Sequence, residues 1–122
     1  MEDRQMKTNE LTGAALDWAV AKCEGTLGHY VQPNEKRGTI KWETTPSTRR
    51  YSTDWAQGGP IIEREGVTLT QYDDYPNWSA TLYATDYNEH THVTAPTPLI
   101  AAMRCYVASK LGDEIDLPKE LT

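Results

Sequence analysis

The sequence predicts an α+β domain, a small antiparallel sheet with an N-terminal and a C-terminal helix packed on one face. Apolar residues recur at helical spacing near both ends of the chain, alternating β-favouring segments lie between them, and turn chemistry joins two of those segments. At 122 residues the chain is long enough for one modest core, with no internal repeat and no low-complexity linker.

The first helix opens at Leu11-Thr12, with Thr12 as cap, Leu11 and Leu16 as a hydrophobic staple and Gly25 as terminator. Leu16, Ala19, Val20 and Cys23 form its buried stripe and leave Asp17 and Lys22 to water. Residues 38–44 and 67–72 alternate, and residues 78–84 are rich in β-favouring types, so each reads as a strand. Asp73, Asp74, Tyr75, Pro76 and Asn77 supply a turn that makes the last two a hairpin. A further short strand is expected near His92-Val93-Thr94. The C-terminal helix is capped by Thr97, begins at Pro98 and stops at Gly112. Its stripe is Ile100, Met103, Val107 and Leu111, flanked by Leu99 and Tyr106, with Arg104 and Lys110 off the stripe and Lys110 suited to the negative end of the helix dipole. Ile115 and Leu117 lie in a tail expected to fold back along the body.

Charge narrows the function classes. A net charge of −6 and a pI near 5.0 argue against direct nucleic-acid binding, which requires a basic face, and Arg49-Arg50 reads as a solvated loop pair. No apolar run has the length of a membrane span and no signal-peptide pattern is visible, so a cytoplasmic location is expected. Cys23 and Cys105 each fall on a helical stripe, where a free thiol behaves as a small hydrophobe; packed side by side, the helices could bring the thiols close, but a disulfide is not expected in a reducing compartment.

The best candidate for a binding site is the segment from Tyr51 to Glu65, with Ser52, Thr53, Asp54, Trp55, Gln57, Gly58, Gly59 and Arg64 as its candidate residues. Gly58 and Gly59 permit close approach of a ligand to the backbone, and Pro60 suits the first position of a helical turn through Ile61-Ile62-Glu63. Amides at that turn would receive an anionic group, Trp55 or Trp78 would stack on a flat ring, and Arg64 or Gln57 would fix its orientation. The same Gly-Gly-Pro stretch also suits a simple chain reversal. The aromatic set favours recognition: there is no Phe, yet there are four Trp and seven Tyr, and Tyr and Trp carry polar tips suited to partly wet surfaces. Singly, Trp42, Trp78 and Tyr83 are more simply explained as cover for the sheet.

Catalytic and metal patterns are weak. His90-Thr91-His92 has the alternating spacing of two ligands on a strand, near Asp86 and Glu89, but no third ligand is fixed by spacing, and no metal site is assigned. No serine or cysteine lies in a nucleophile frame; Asp54, Glu63 and Glu65 would serve as acids or bases only if buried. The balance favours a non-enzyme without a cofactor.

Three blocks, in order, carry a family resemblance. They are Leu11-Thr12-Gly13-Ala14-Ala15-Leu16-Asp17-Trp18-Ala19-Val20-Ala21-Lys22, Ser52-Thr53-Asp54-Trp55-Ala56-Gln57-Gly58-Gly59-Pro60-Ile61-Ile62, and Pro96-Thr97-Pro98-Leu99-Ile100-Ala101-Ala102-Met103-Arg104 with Lys110-Leu111-Gly112-Asp113-Glu114. Together they resemble the NinX family, small proteins encoded by temperate tailed phages and their prophages. Met6-Lys7 is similar to the usual family start, so residues 1–6 are expected to be an N-terminal extension and residues 7–122 a single domain. The resemblance implies an accessory protein in the cytoplasm of the infected bacterial host and supplies no mechanism. Two function classes follow: a non-catalytic binder that sequesters a small nucleotide-like ligand in counter-defence, and an interaction module that engages a host or phage protein through an acidic, Tyr/Trp-rich surface.

Overall fold

The computed structural model describes residues 4–26, 28–30, 42–44, 49–71, 77–83 and 90–117. Its elements run β1 (Arg4–Lys7), a 3-10 turn (Thr8–Glu10), α1 (Gly13–Glu24), β2 (Gly28–Tyr30), β3 (Trp42–Thr44), α2 (Trp55–Glu65), β4 (Thr68–Gln71), β5 (Trp78–Tyr83), β6 (His90–Ala95), α3 (Pro98–Leu111) and β7 (Glu114–Leu117). The fold is α+β. Strands β4, β5 and β6 form one antiparallel sheet with β5 central, while β1 pairs with β7 and β2 with β3. The expected hairpin is present, with Leu69 opposite Ala80 and Gln71 opposite Trp78. Residues 38–41, turn residues 73–76, and Asp86 and Glu89 lie outside the described residues.

Helix α3 is the centre of the molecule because it is apolar on two sides. Ala101 and Cys105, four apart, face the sheet with Ala80, Val93 and Ala95. Leu99, Ala102, Met103, Tyr106 and Val107 face the other way, into a cluster with Leu11, Leu16, Val20 and Ile61. The sheet therefore packs on α3, and α1 and α2 pack on α3 in turn. A helix that packs on two sides shows little amphipathic pattern, which is why the expected single stripe understates its burial. Thr97 caps α3 by accepting from the Ile100 N–H at 3.1 Å, and Gly112 ends it with φ of 91°.

Helix α1 also departs from the expected pattern. Asp17 is not left to water: it is buried, and its Oδ1 accepts from the Ser52 N–H at 2.8 Å. A carboxylate on a buried helix face thus anchors the segment that precedes α2, supplying the partner that a buried charge requires. Lys22 is exposed as expected, with its ammonium 5.1 Å from the Trp18 ring centre. Thr12 occupies the cap position with extended backbone but makes no side-chain cap bond, and Gly25 closes the helix at φ of 73°.

The tail folds back as expected: Ile115 and Leu117 are buried, and β7 pairs with β1 in the register Met6 to Ile115 and Lys7 to Glu114. That ladder reaches Arg4, so residues 4–6 of the expected extension are strand. The two thiols do not meet. Cys105 is buried on the sheet side of α3, where its Sγ–H donates to the Thr91 carbonyl at 3.3 Å, whereas Cys23 packs against the helical cluster. Burial pushes Cys105 up to about 12 and Cys23 up to about 11, so both are held as thiols.

Candidate functional site

The segment from Tyr51 to Glu65 is built around a helix that starts earlier than its proline suggests. Asp54 is the N-cap: its Oδ1 accepts from the Ala56 N–H at 2.9 Å, and its Oδ2 accepts from Gln57 Nε2 at 3.1 Å. Its carbonyl accepts from the Gln57 and Gly58 amides, at 3.0 and 2.9 Å. Gln57 Oε1 in turn accepts from the Arg50 N–H at 3.0 Å. Helix α2 therefore begins at Trp55, and Pro60 lies inside it.

This placement corrects two expectations. Pro60 does not open a helical turn, and the Gly58 amide is not left open at a helix start. The Gly58 N–H is consumed by Asp54, and the carboxylate of Asp54 already occupies the positive end of α2. An internal proline removes one helical bond and crowds the carbonyl four residues back, here that of Ala56. Ala56 and Pro60 are both exposed, so water can solvate that carbonyl. Gly59, lacking a Cβ, relieves the crowding that usually keeps the residue before proline out of helical conformation.

Gly58 has a different job. A Cβ there would meet the Tyr51 carbonyl oxygen at 2.5 Å and Leu99 Cδ1 at 2.6 Å, so the absence of a side chain lets α2 seat against α3 and the preceding turn. Gly59 has open surroundings, with Trp55 Cε3 nearest to its would-be Cβ at 3.9 Å. Trp55 itself is 52% exposed, on the first turn of α2 and one helical turn ahead of Gly59. Ser52 is buried, and its Oγ has no hydrogen-bond partner among the described residues. Thr53 is exposed in the turn, held by its N–H to the Arg50 carbonyl.

The remaining candidates are held elsewhere. Arg64 is at the opposite end of α2 from Trp55. Its Nη1 and Nη2 donate to the two carboxylate oxygens of Glu24, at 3.0 and 2.6 Å, its Nε donates to Glu65 at 2.8 Å, and Nη2 donates to Tyr106 Oη at 3.3 Å. Tyr106 donates a short hydrogen bond to the same Glu24. These hydrogen bonds hold Glu24 below the usual carboxylate range, while burial and the bond to Glu24 raise Tyr106. The network clamps together the C-terminal turns of α1 and α2 and the side of α3. Trp78 belongs to the sheet-side cluster, packed with Ala80, Val93 and Ala95.

A second region draws residues from several parts of the chain. A groove of about 550 Å³ runs between β6 and the β1–β7 side, lined by Lys7, Thr8, Asn9, His90, His92 and Asp113 among others. Its far wall is fixed by Thr8, whose Oγ1 donates to the Gly112 carbonyl at 2.5 Å and whose N–H donates to the Asp113 carbonyl at 2.8 Å. Arg104 bridges toward Thr94, donating from Nε to the Leu11 carbonyl at 2.6 Å and from Nη1 to the Thr94 carbonyl at 3.1 Å. A further cleft of about 400 Å³ shares His90 and Thr91 with this groove and adds Leu82, Tyr83, Ser109, Lys110 and Glu65. Tyr83 is 52% exposed, and its ring lies 5.8 Å from that of His90 at an interplanar angle of 43°. Residue types alone draw attention here only to His90 and His92, as weak metal ligands, and to Tyr83, as cover for the sheet; Asn9, Ser109 and Asp113 join them only through the fold. Among the described residues, no three His, Cys, Asp or Glu converge on a metal-sized centre.

The architecture defines a small α+β domain that presents aromatic and polar surface around a helix-clamped core. The chain belongs to the phage family described as Bacteriophage P22, NinX, whose pattern matches residues 7–110. No curated protein matches the chain. Among the described residues, no helix is long and apolar enough to cross a membrane.

Proposed function

We propose that this chain is a non-catalytic accessory protein of the infected cell that engages a host or phage protein through the Trp55 face of α2. The observation that carries the reading is the pairing of an exposed Trp55 with a helix end whose amides are occupied: Ala56, Gln57 and Gly58 all donate to Asp54. Such a surface suits burial of an aromatic anchor against a protein, since tryptophan recurs among interface hot spots. It does not suit an anion, which would meet the Asp54 carboxylate. The net charge of −6 agrees with a partner of opposite sign.

Affinity capture from phage-infected cells with wild-type and Trp55→Ala baits tests this directly. A partner retained by the first and lost by the second, at unchanged melting temperature, is the expected result. Equal recovery by both baits defeats the reading.

A second reading is favoured by one observation, the tilted Tyr83–His90 pair on a cleft of about 400 Å³, a size that suits a small ligand. Sequestration of a nucleotide-like ligand in counter-defence would then rest on that pair, not on Gly58 and Gly59. A nucleotide panel that raises the melting temperature would favour this reading over the first.

A further inference from the structure

The groove along β6 has two sides and a floor. His90 to Val93 form one side, Lys7 to Asn9 with Asp113 and Glu114 the other, and Ala108 of α3 contributes to the floor. Beyond Val93, Arg104 joins the Leu11 carbonyl to the Thr94 carbonyl, tying the segment after the 3-10 turn to the end of β6. At the other end the groove continues past His90 and Thr91 toward Tyr83, Ser109 and Lys110. The β6 stretch from His90 to Val93 spans roughly 10 Å, the length of about three extended residues.

Its lining carries one cation, Lys7, and two carboxylates, Asp113 and Glu114. Lys7 stands directly opposite Glu114 in the β1–β7 ladder, and Lys110 Nζ lies 3.3 Å from Glu65. The carboxylates are in excess, and Asp113 lies just beyond the C-terminal end of α3, where the helix dipole adds further negative potential. Asp113 is exposed, and among the described residues no ion pair engages its carboxylate. A phosphate entering the groove would be repelled. A guanidinium would find a carboxylate able to accept two of its N–H donors and, at the open end, the Tyr83 and His90 rings as flat faces on which to stack.

We propose that this groove docks a short extended segment of a protein partner that carries an arginine, seated between Asp113 and the Tyr83–His90 pair. The inference rests on the reading of the chain as an interaction module, but it uses residues separate from Trp55. The matching of charge identifies the occupant: a hydroxyl-lined groove whose carboxylates outnumber its lysine favours a cation over a nucleotide.

The test is fluorescence anisotropy with the full chain and labelled peptides of about five residues. One has arginines at alternate positions, and one has glutamates in their place. The arginine peptide is expected to bind saturably at low salt and to weaken as salt rises, while the glutamate peptide does not bind. Asp113→Asn should weaken binding by about tenfold and Asp113→Lys should abolish it. Both variants should fold, since among the described residues the fold uses only the backbone carbonyl of Asp113. Trp55→Ala should leave peptide affinity unchanged. Equal affinity for the two peptides, absence of binding at millimolar peptide, undiminished affinity in Asp113→Lys, or displacement by ATP each overturns the proposal. A partner captured through Trp55 in any of those cases would leave the interaction-module reading standing and remove only the groove.

Discussion

Helix α2 and its cap take their conspicuous residues from one unbroken stretch of chain, whereas the groove along β6 takes its lining from β1, the 3-10 turn, β6, α3 and β7. The first region stands out in sequence because glycine, proline and a capping acid are punctuation, and punctuation reflects what the backbone requires. Asp54 caps, Gly58 makes room, Gly59 eases the approach to Pro60, and only Trp55 is left over. The groove contains ordinary residues in ordinary local contexts and becomes a cleft only when Thr8 is stitched to Gly112 and Asp113. A dense local motif is therefore weak testimony for a site when each member has a backbone reason to be present.

The comparison breaks most severely if Gly58 tolerates a side chain. Gly58→Val places carbon against the Tyr51 carbonyl and Leu99, both in well-packed surroundings, and should destabilise the fold by about 3 kcal/mol. Chemical denaturation read by tryptophan fluorescence measures this. A variant as stable as wild type would mean that Gly58 is not a packing glycine and would return the segment to consideration as a ligand cradle.

The clamp at the other end of α2 gives a smaller and pH-dependent effect. Hydrogen bonds from Arg64 hold Glu24 below its ordinary value of 4.5, so the folded chain binds that proton less readily than the unfolded chain. The resulting stabilisation is complete above the unfolded value and fades as pH falls through the lower folded value. Glu65 is lowered in the same direction, by Arg64 first and Lys110 after it. Glu24→Gln should cost about 1 kcal/mol near neutral pH, and the difference from wild type should shrink as pH drops below about 4. Melting temperatures measured across that range decide the matter; a difference that does not change with pH would show that the carboxylate contributes through shape alone.

The terminal helices were legible because their signals are local. Thr97, Pro98 and Gly112 mark α3 as the structure has it, and Gly25 ends α1. The hairpin and the returning tail were legible from alternation and apolar content. Asp17 was misread because a charged residue between apolar ones looks solvent-facing, and its partner, the Ser52 N–H, is 35 residues away. Gly58, Gly59 and Pro60 all have low helix propensity, so the sequence by itself supports only a single turn where the structure has the whole of α2. Packing of Ile61 into the core and the Asp54 cap outweigh that preference. The long-range contacts that make the groove leave no periodic trace.

The finest test concerns Gly59, where packing and surface requirements separate. Alanine in place of glycine favours a helix by up to about 1 kcal/mol, but a Cβ immediately before proline disfavours helical backbone. The two terms oppose each other, and the nearest side-chain atom, Trp55 Cε3, is at an ordinary 3.9 Å. Gly59→Ala should therefore change stability by less than about 0.5 kcal/mol. Its effect on partner capture is the informative quantity. Loss of capture at unchanged stability would mean that the bare backbone beneath Trp55 belongs to the contact surface. Unchanged capture would confine that surface to Trp55 itself and leave Gly59 as a residue kept for Pro60.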